Sequence, residues 1–122
     1  MNALLTYRRL TEADIPTFVT MRIAQLKEEG AKSDLDIEPA LTAYYQKHLA
    51  DGTFVSWLAV DGERIIGTSG MSFVEKPPYY SNPTGKIGLL SSMYTNPTYR
   101  RQGIARKLLD HVVEEARTYG CG

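Results

Sequence analysis

The chain has 122 residues, 43% hydrophobic and 23% charged, which is enough for one folded domain and excludes both a disordered chain and two domains. Its 14 Lys and Arg balance 14 Asp and Glu, so no global field draws nucleic acid or a membrane surface. No apolar run is long enough to span a membrane, MNALLTYRRL lacks a signal-peptide core, and a lone Cys121 with no zinc-type spacing excludes disulfide and zinc scaffolds; a cytoplasmic location is expected.

Leu4 to Arg8 reads as a short strand, and Thr11-Glu12-Ala13-Asp14 as a capping-box helix start. Ile15, Phe18, Val19, Arg22, Ile23 and Leu26 then recur at helical spacing up to Gly30. A polar loop from Ala31 to Pro39 precedes a second helix carrying Leu41, Tyr44, Tyr45, His48 and Leu49 on one face, closed by Asp51-Gly52. Phe54 to Val60 is rich in strand formers, and Asp61-Gly62 signals a hairpin into a strand from Arg64 to Val74. The proline-rich loop from Glu75 to Gly85 cannot continue a ladder, so the chain re-enters a strand at Lys86 to Thr95. Pro97 ends it, and from Gly103 a helix buries Ile104, Leu108, Leu109, Val112, Val113 and Ala116, with Gly120 as its stop. The expected architecture is mixed α/β: an antiparallel strand meander with flanking helices, in one domain over residues 1–122.

Charge is not evenly spread. Residues 1–75 hold 11 acids and 7 bases, whereas residues 76–122 hold 7 bases and 3 acids. Between Glu75 and Asp110 there is no acid, while Lys76, Lys86, Arg100, Arg101, Arg106 and Lys107 all fall there. Within this stretch a strand ends, a basic turn follows and a helix opens. The first amides of a helix lack intrahelical partners and carry the positive end of the macrodipole, so they suit phosphate oxygens. Gly103 and Ala105 allow close approach, and Arg100, Arg101 and Arg106 add charge-assisted donors. A solvated basic turn before an ordinary core helix is the bland alternative. Walker A and GxGxxG spacings are absent.

Tyr94-Thr95-x-Pro97-x-Tyr99-Arg100-x-x-Gly103-Ile104-Ala105-x-x-Leu108-Leu109 resembles the acetyl-CoA motif of the GNAT superfamily of N-acetyltransferases. Arg100, Gly103 and Ala105 fill its three defining positions, the order of elements is also similar, and Arg101 stands where many members have Gly. The resemblance implies that Arg101, Gln102, Gly103, Ile104, Ala105 and Arg106 hold the pyrophosphate of coenzyme A through backbone amides, and that the backbone of Met93, Tyr94 and Thr95 lines the pantetheine arm. It implies direct acetyl transfer from acetyl-CoA to the amine of a small molecule or peptide, with a main-chain amide polarising the carbonyl. No catalytic side chain is assigned. Leu89 falls where some members carry a carboxylate base, which leaves water, a further segment or Glu75 to take the proton, with water or the further segment preferred to Glu75.

The resemblance also implies a domain incomplete at its C-terminal end: the family's fifth strand and the helix after it, which supplies a tyrosine acid, would follow Gly122. A chain of these residues alone is therefore expected to be inactive. Its last strand, with Ile87, Leu89 and Leu90, is expected either to pair with a second copy as a homodimer or to be covered by further chain. Two other readings are a non-catalytic acyl-CoA-binding or regulatory domain, which keeps the cradle without acids, and an interaction module whose basic turn is incidental. Asp34, Asp36 and Glu38, with Tyr79 and Tyr80, resemble acceptor-site walls or are plain solvated loops. His48, His111, Cys121, Trp57 and Phe54 are read as packing residues.

Overall fold

The computed structural model describes residues 5–31 and 35–121. In chain order the elements are β1 (Leu5–Arg9), α1 (Ile15–Glu28), α2 (Glu38–Asp51), β2 (Phe54–Val55), β3 (Trp57–Asp61), β4 (Arg64–Glu75), β5 (Lys86–Thr95) and α3 (Ile104–Tyr119), with single 3-10 turns at Glu12–Asp14 and Pro97–Tyr99. Leu4 and Asp34 lie outside the described residues. All strand pairings are antiparallel: β1 with β3, then β2, β3 and β5 with β4.

The strand expected over Phe54 to Val60 is split at Ser56. Phe54↔Ser72, Val55↔Met71 and Ala59↔Gly67 keep one register, so β2 and β3 share one lane beside β4. At the break the Ser69 hydroxyl accepts from Trp57 N–H (3.0 Å) and donates to Trp57 C=O (2.8 Å), replacing the missing ladder bonds. The hairpin turn falls one residue later than its sequence signal: Asp61 pairs with Arg64, and Gly62-Glu63 make the turn. Helix α2 starts at Glu38, earlier than expected, because Pro39 is tolerated in a first turn and Asp36 Oδ1 accepts from the Glu38 N–H (3.1 Å).

Two apolar layers sandwich the sheet. Ile15, Phe18 and Val19 of α1 and Tyr45 of α2 pack with Phe54, Leu58 and Val60 on one side. On the other, Ile104, Leu108 and Val112 of α3 meet Ala59, Ile66, Met71 and Phe73. Leu109, Val113 and Ala116, expected in the core, are half-buried at its margin. Gly67 permits the close approach of α3: a Cβ there would sit 3.2 Å from Ala59 Cβ, Ile104 Cγ2 and Leu108 Cδ1.

The start of α1 is pinned electrostatically. Asp14 accepts from Thr11 N–H and Oγ1 (both 2.8 Å) and pairs with both terminal nitrogens of Arg8. The Arg8 guanidinium, ahead of the Thr11 bonds, holds the Asp14 carboxyl far below its ordinary range. A native pKa below the unfolded one stabilises fully above about pH 4 and fades as pH falls toward the native value. Asp14→Asn is therefore expected to cost about 1 kcal/mol at pH 7, a modest figure because Arg8 is partly solvated. Melting curves of parent and variant should converge on acidification; a gap that stays constant down to pH 2 would refute this assignment.

Candidate functional site

The site lies where β5 leaves its ladder. Thr68 pairs with Tyr94 but Gly70 with Ser91, so Ser92 and Met93 together oppose Ser69 alone. This bulge puts Ser92 at φ +56, left-handed for a residue with a side chain, and Thr68 Oγ1 holds its carbonyl (2.8 Å). Beyond the bulge, Asn96 N–H donates to Ile66 C=O (2.7 Å). By ladder alternation Met93 and Thr95 then turn their backbone polar groups toward the outer edge. The carbonyls confirm it: Met93 O accepts from Gln25 Nε2 (3.0 Å) and Thr95 O from Arg100 Nε (2.8 Å).

That edge forms one wall of a cleft of about 410 Å³. Gln25 and Glu28 of α1, with Glu29 just after it, form a second wall; Arg100, Arg101, Gly103, Ala105 and Arg106 form its floor. Gly103, at φ +78, is the last residue before α3, and Lys107 N–H donates to its carbonyl (3.2 Å). The amides of Ile104, Ala105 and Arg106 thus precede the first intrahelical bond. A Cβ on Gly103 would meet no protein atom within 4 Å, so the space above this turn is open to a ligand. Tyr99 ties the turn to the β3–β4 hairpin: its hydroxyl donates to Asp61 Oδ2 (2.6 Å), and this bond raises the phenol's pKa above 10.

The structure brings Met93, Tyr94, Thr95, Arg100, Arg101, Gly103, Ile104, Ala105 and Arg106 to this one cleft, with Gln102 in the same turn. The Arg100 guanidinium, expected as a phosphate donor, is held by Glu28 (2.8 Å) and Thr95 O and lies 5.5 Å over the Tyr94 ring. It braces the turn against α1 and β5. The Ile104 side chain is 2% exposed and belongs to the core, leaving its backbone alone to face the cleft. Arg101 has φ +66, which explains why glycine suits this position. Arg101→Gly is expected to raise unfolding free energy by about 1 kcal/mol while removing one cation from the cleft. An unchanged urea midpoint would show that the turn carries no strain.

The remaining candidates are structural. His48 Nδ1 is 2.6 Å from Thr53 Oγ1, and His111 stacks on Trp57 at 4.0 Å. Trp57 Nε1 donates to Glu115 (2.9 Å), Phe54 is core, and burial pushes the Cys121 thiol above its ordinary pKa. Asp36 is used in capping α2. Tyr79 and Tyr80 are exposed at the far end of the β4–β5 hairpin, beyond Lys86, about 20 Å from the bulge at Ser92. Glu75 pairs with Lys86 at that same far end, which puts it out of reach as a base. Sequence reasoning missed Gln25, Glu28 and Ser92: the first two read as a polar helix face, and a bulge leaves no mark on strand propensity. Among the described residues there is no cluster that could hold a metal ion and no helix long and apolar enough to cross a membrane.

The Acetyltransferase (GNAT) family profile matches residues 19–122. A predicted acetyltransferase from Clostridium acetobutylicum, crystallised with acetyl-CoA, is 39% identical, with a TM-score of 0.91 over 94% of this chain and 75% of that one. A GCN5-related N-acetyltransferase from Ralstonia eutropha JMP134 shares the fold at 24% identity, with a TM-score of 0.87 over 96% of this chain and 78% of that one. Glucosamine-6-phosphate N-acetyltransferase from Arabidopsis thaliana shares it at 14% identity and a TM-score of 0.72, over 96% and 77% of the two chains. No curated protein matches the chain.

Proposed function

The chain belongs to the GNAT acetyltransferase family, and on that premise we propose that it transfers acetyl from acetyl-CoA to the primary amine of a small molecule or peptide. The observation that carries this reading is the continuity of the cleft: the outward edge of Met93 and Thr95 leads directly to the open helix start above Gly103. A ligand with an extended amide-bearing arm and a pyrophosphate matches both ends. Backbone amides from Ile104 to Arg106 would hold the phosphates, with Arg101 and Arg106 as cations. The Met93–Thr95 edge would align the arm and deliver the thioester to the bulge.

When bound, acetyl-CoA supplies the activated acetyl group. The amine nitrogen bonds to the carbonyl carbon as the carbon–sulfur bond breaks, and the surplus proton leaves nitrogen for solvent while the thiolate is protonated. No carboxylate of β5 serves as base, so proton loss to water is the favoured route. The amine must arrive neutral, and the rate is expected to rise with pH toward the acceptor's own pKa.

Calorimetric titration with acetyl-CoA and desulfo-CoA, followed by thiol release over an amine panel, tests the proposal. Binding of both with turnover of the acetyl form is expected. Failure of either to bind would sink it, and binding without turnover on any amine would favour a regulatory acyl-CoA-binding domain.

A further inference from the structure

Five arginines form ion pairs among the described residues: Arg8, Arg9, Arg100, Arg106 and Arg117. Arg22 forms none, and neither do Arg64 and Arg101, but those two are exposed whereas Arg22 is half-buried on α1, beside Gln25 and Tyr45 of α2. Its guanidinium is oriented by neutral groups. Nη1 donates to Gln25 Oε1 (2.9 Å), and the same Gln25 amide donates to Met93 O at the bulge. On its other flank stands Tyr45, 4% exposed; burial raises the phenol's pKa while Ser92 and Arg22 beside it favour the ionised form. Ser92 Oγ, also buried, makes no hydrogen bond of standard geometry.

Position along α1 gives this cation its meaning. Glu28 and Glu29 border the Arg100 end of the cleft, Gln25 caps the bulge, and Arg22 lies one turn further from the phosphate cradle. An amine adds over the face of the thioester carbonyl, and with the arm along Met93–Thr95 the space it leaves beside α1 is past Gln25, toward Arg22. Among the described residues this guanidinium has the Gln25 amide beside it and no ion-pair partner, so an incoming oxyacid would supply a counter-ion.

We infer that Arg22 selects acceptors carrying an anionic oxyacid group, carboxylate or phosphate, on the same molecule as the reacting amine. The inference rests on the acetyl-transfer reading and narrows its substrate class. Arg22 is then a specificity residue for the acceptor, with no part in holding coenzyme A.

Thiol release on matched acceptor pairs tests it: an α-amino acid against its amide, and an aminoalkyl phosphate against the parent amino alcohol. The anionic member of at least one pair should show kcat/KM higher by about tenfold or more, the range of one charge-assisted hydrogen bond; whichever pair responds identifies the oxyacid. Arg22→Gln should bring that ratio close to one with acetyl-CoA affinity unchanged by calorimetry, and Arg22→Lys should retain part of it. Equal rates within both pairs for the parent, a preference that survives Arg22→Gln, or an equal loss on charged and neutral acceptors would overturn the inference while leaving acetyl transfer standing. Absent acetyl-CoA binding by the parent would remove both.

Discussion

Gly67→Val is expected to lower the unfolding free energy by about 2–3 kcal/mol and Tm by about ten degrees. Gly67 sits on β4 directly beneath α3, and even a first side-chain carbon would stand 3.2 Å from Ala59, Ile104 and Leu108. None of the three can yield easily, because Ala59 and Leu108 are fully buried and Ile104 is 2% exposed. The helix must lift. Since Ile104 opens α3, lifting it also displaces the turn that ends at Gly103. Leu108→Ala alone should cost about 2–5 kcal/mol by leaving a cavity. Combined, the two changes should cost less than their sum, because the truncated leucine leaves room for part of the valine. Strict additivity in urea unfolding would show that valine is accommodated elsewhere and that Gly67 does not set the helix–sheet distance.

How much of this was legible in the sequence depends on the physical signal each feature leaves. Strand β5 is bounded by a proline-rich loop and by Pro97, and its limits, Lys86 and Thr95, match the reading. Helix α3 is equally plain, because Ile104, Leu108 and Val112 repeat at helical spacing. Register is harder. The break at Ser56, the turn at Gly62-Glu63 and the bulge at Ser92 all concern which residue faces which across the sheet, and propensity is blind to that. The proposed phosphate-binding turn was readable because backbone amides need only a glycine, small residues and a helix start. The opposite wall was not. Gln25 and Glu28 fall outside the apolar spacing of α1, and Arg22 within it shows no role, until the fold lays α1 against the edge of β5, where Gln25 becomes 7% exposed and bonds to Met93. The contributions of those residues are set by a contact 68 positions away in sequence.

Gly103→Val should reduce acetyl-CoA affinity by about a hundredfold or more while leaving the fold intact, and the reason lies in which face of the turn is open. At φ +78 the glycine occupies a left-handed conformation that a β-branched residue resists at a cost of about 1–2 kcal/mol. Yet a Cβ there meets no protein atom within 4 Å, so steric damage to the fold itself is small. Gly103 lines the same cleft as Ile104, Ala105 and Arg106, so the new side chain would compete for the space phosphate oxygens need to come within hydrogen-bond distance of those amides. Backbone strain and lost approach therefore act on different observables: the first lowers Tm by a few degrees, the second removes binding. Gly103→Ala separates them, sharing most of the strain with less bulk, and should retain measurable affinity. Arg101→Ala gives the scale for a single cation, a loss of about 1–3 kcal/mol. If backbone amides dominate, the order of affinity is parent, then Arg101→Ala, then Gly103→Val. Parental affinity in a folded Gly103→Val protein would mean that the phosphates are held by side chains elsewhere in the cleft and that this helix start is not the cradle.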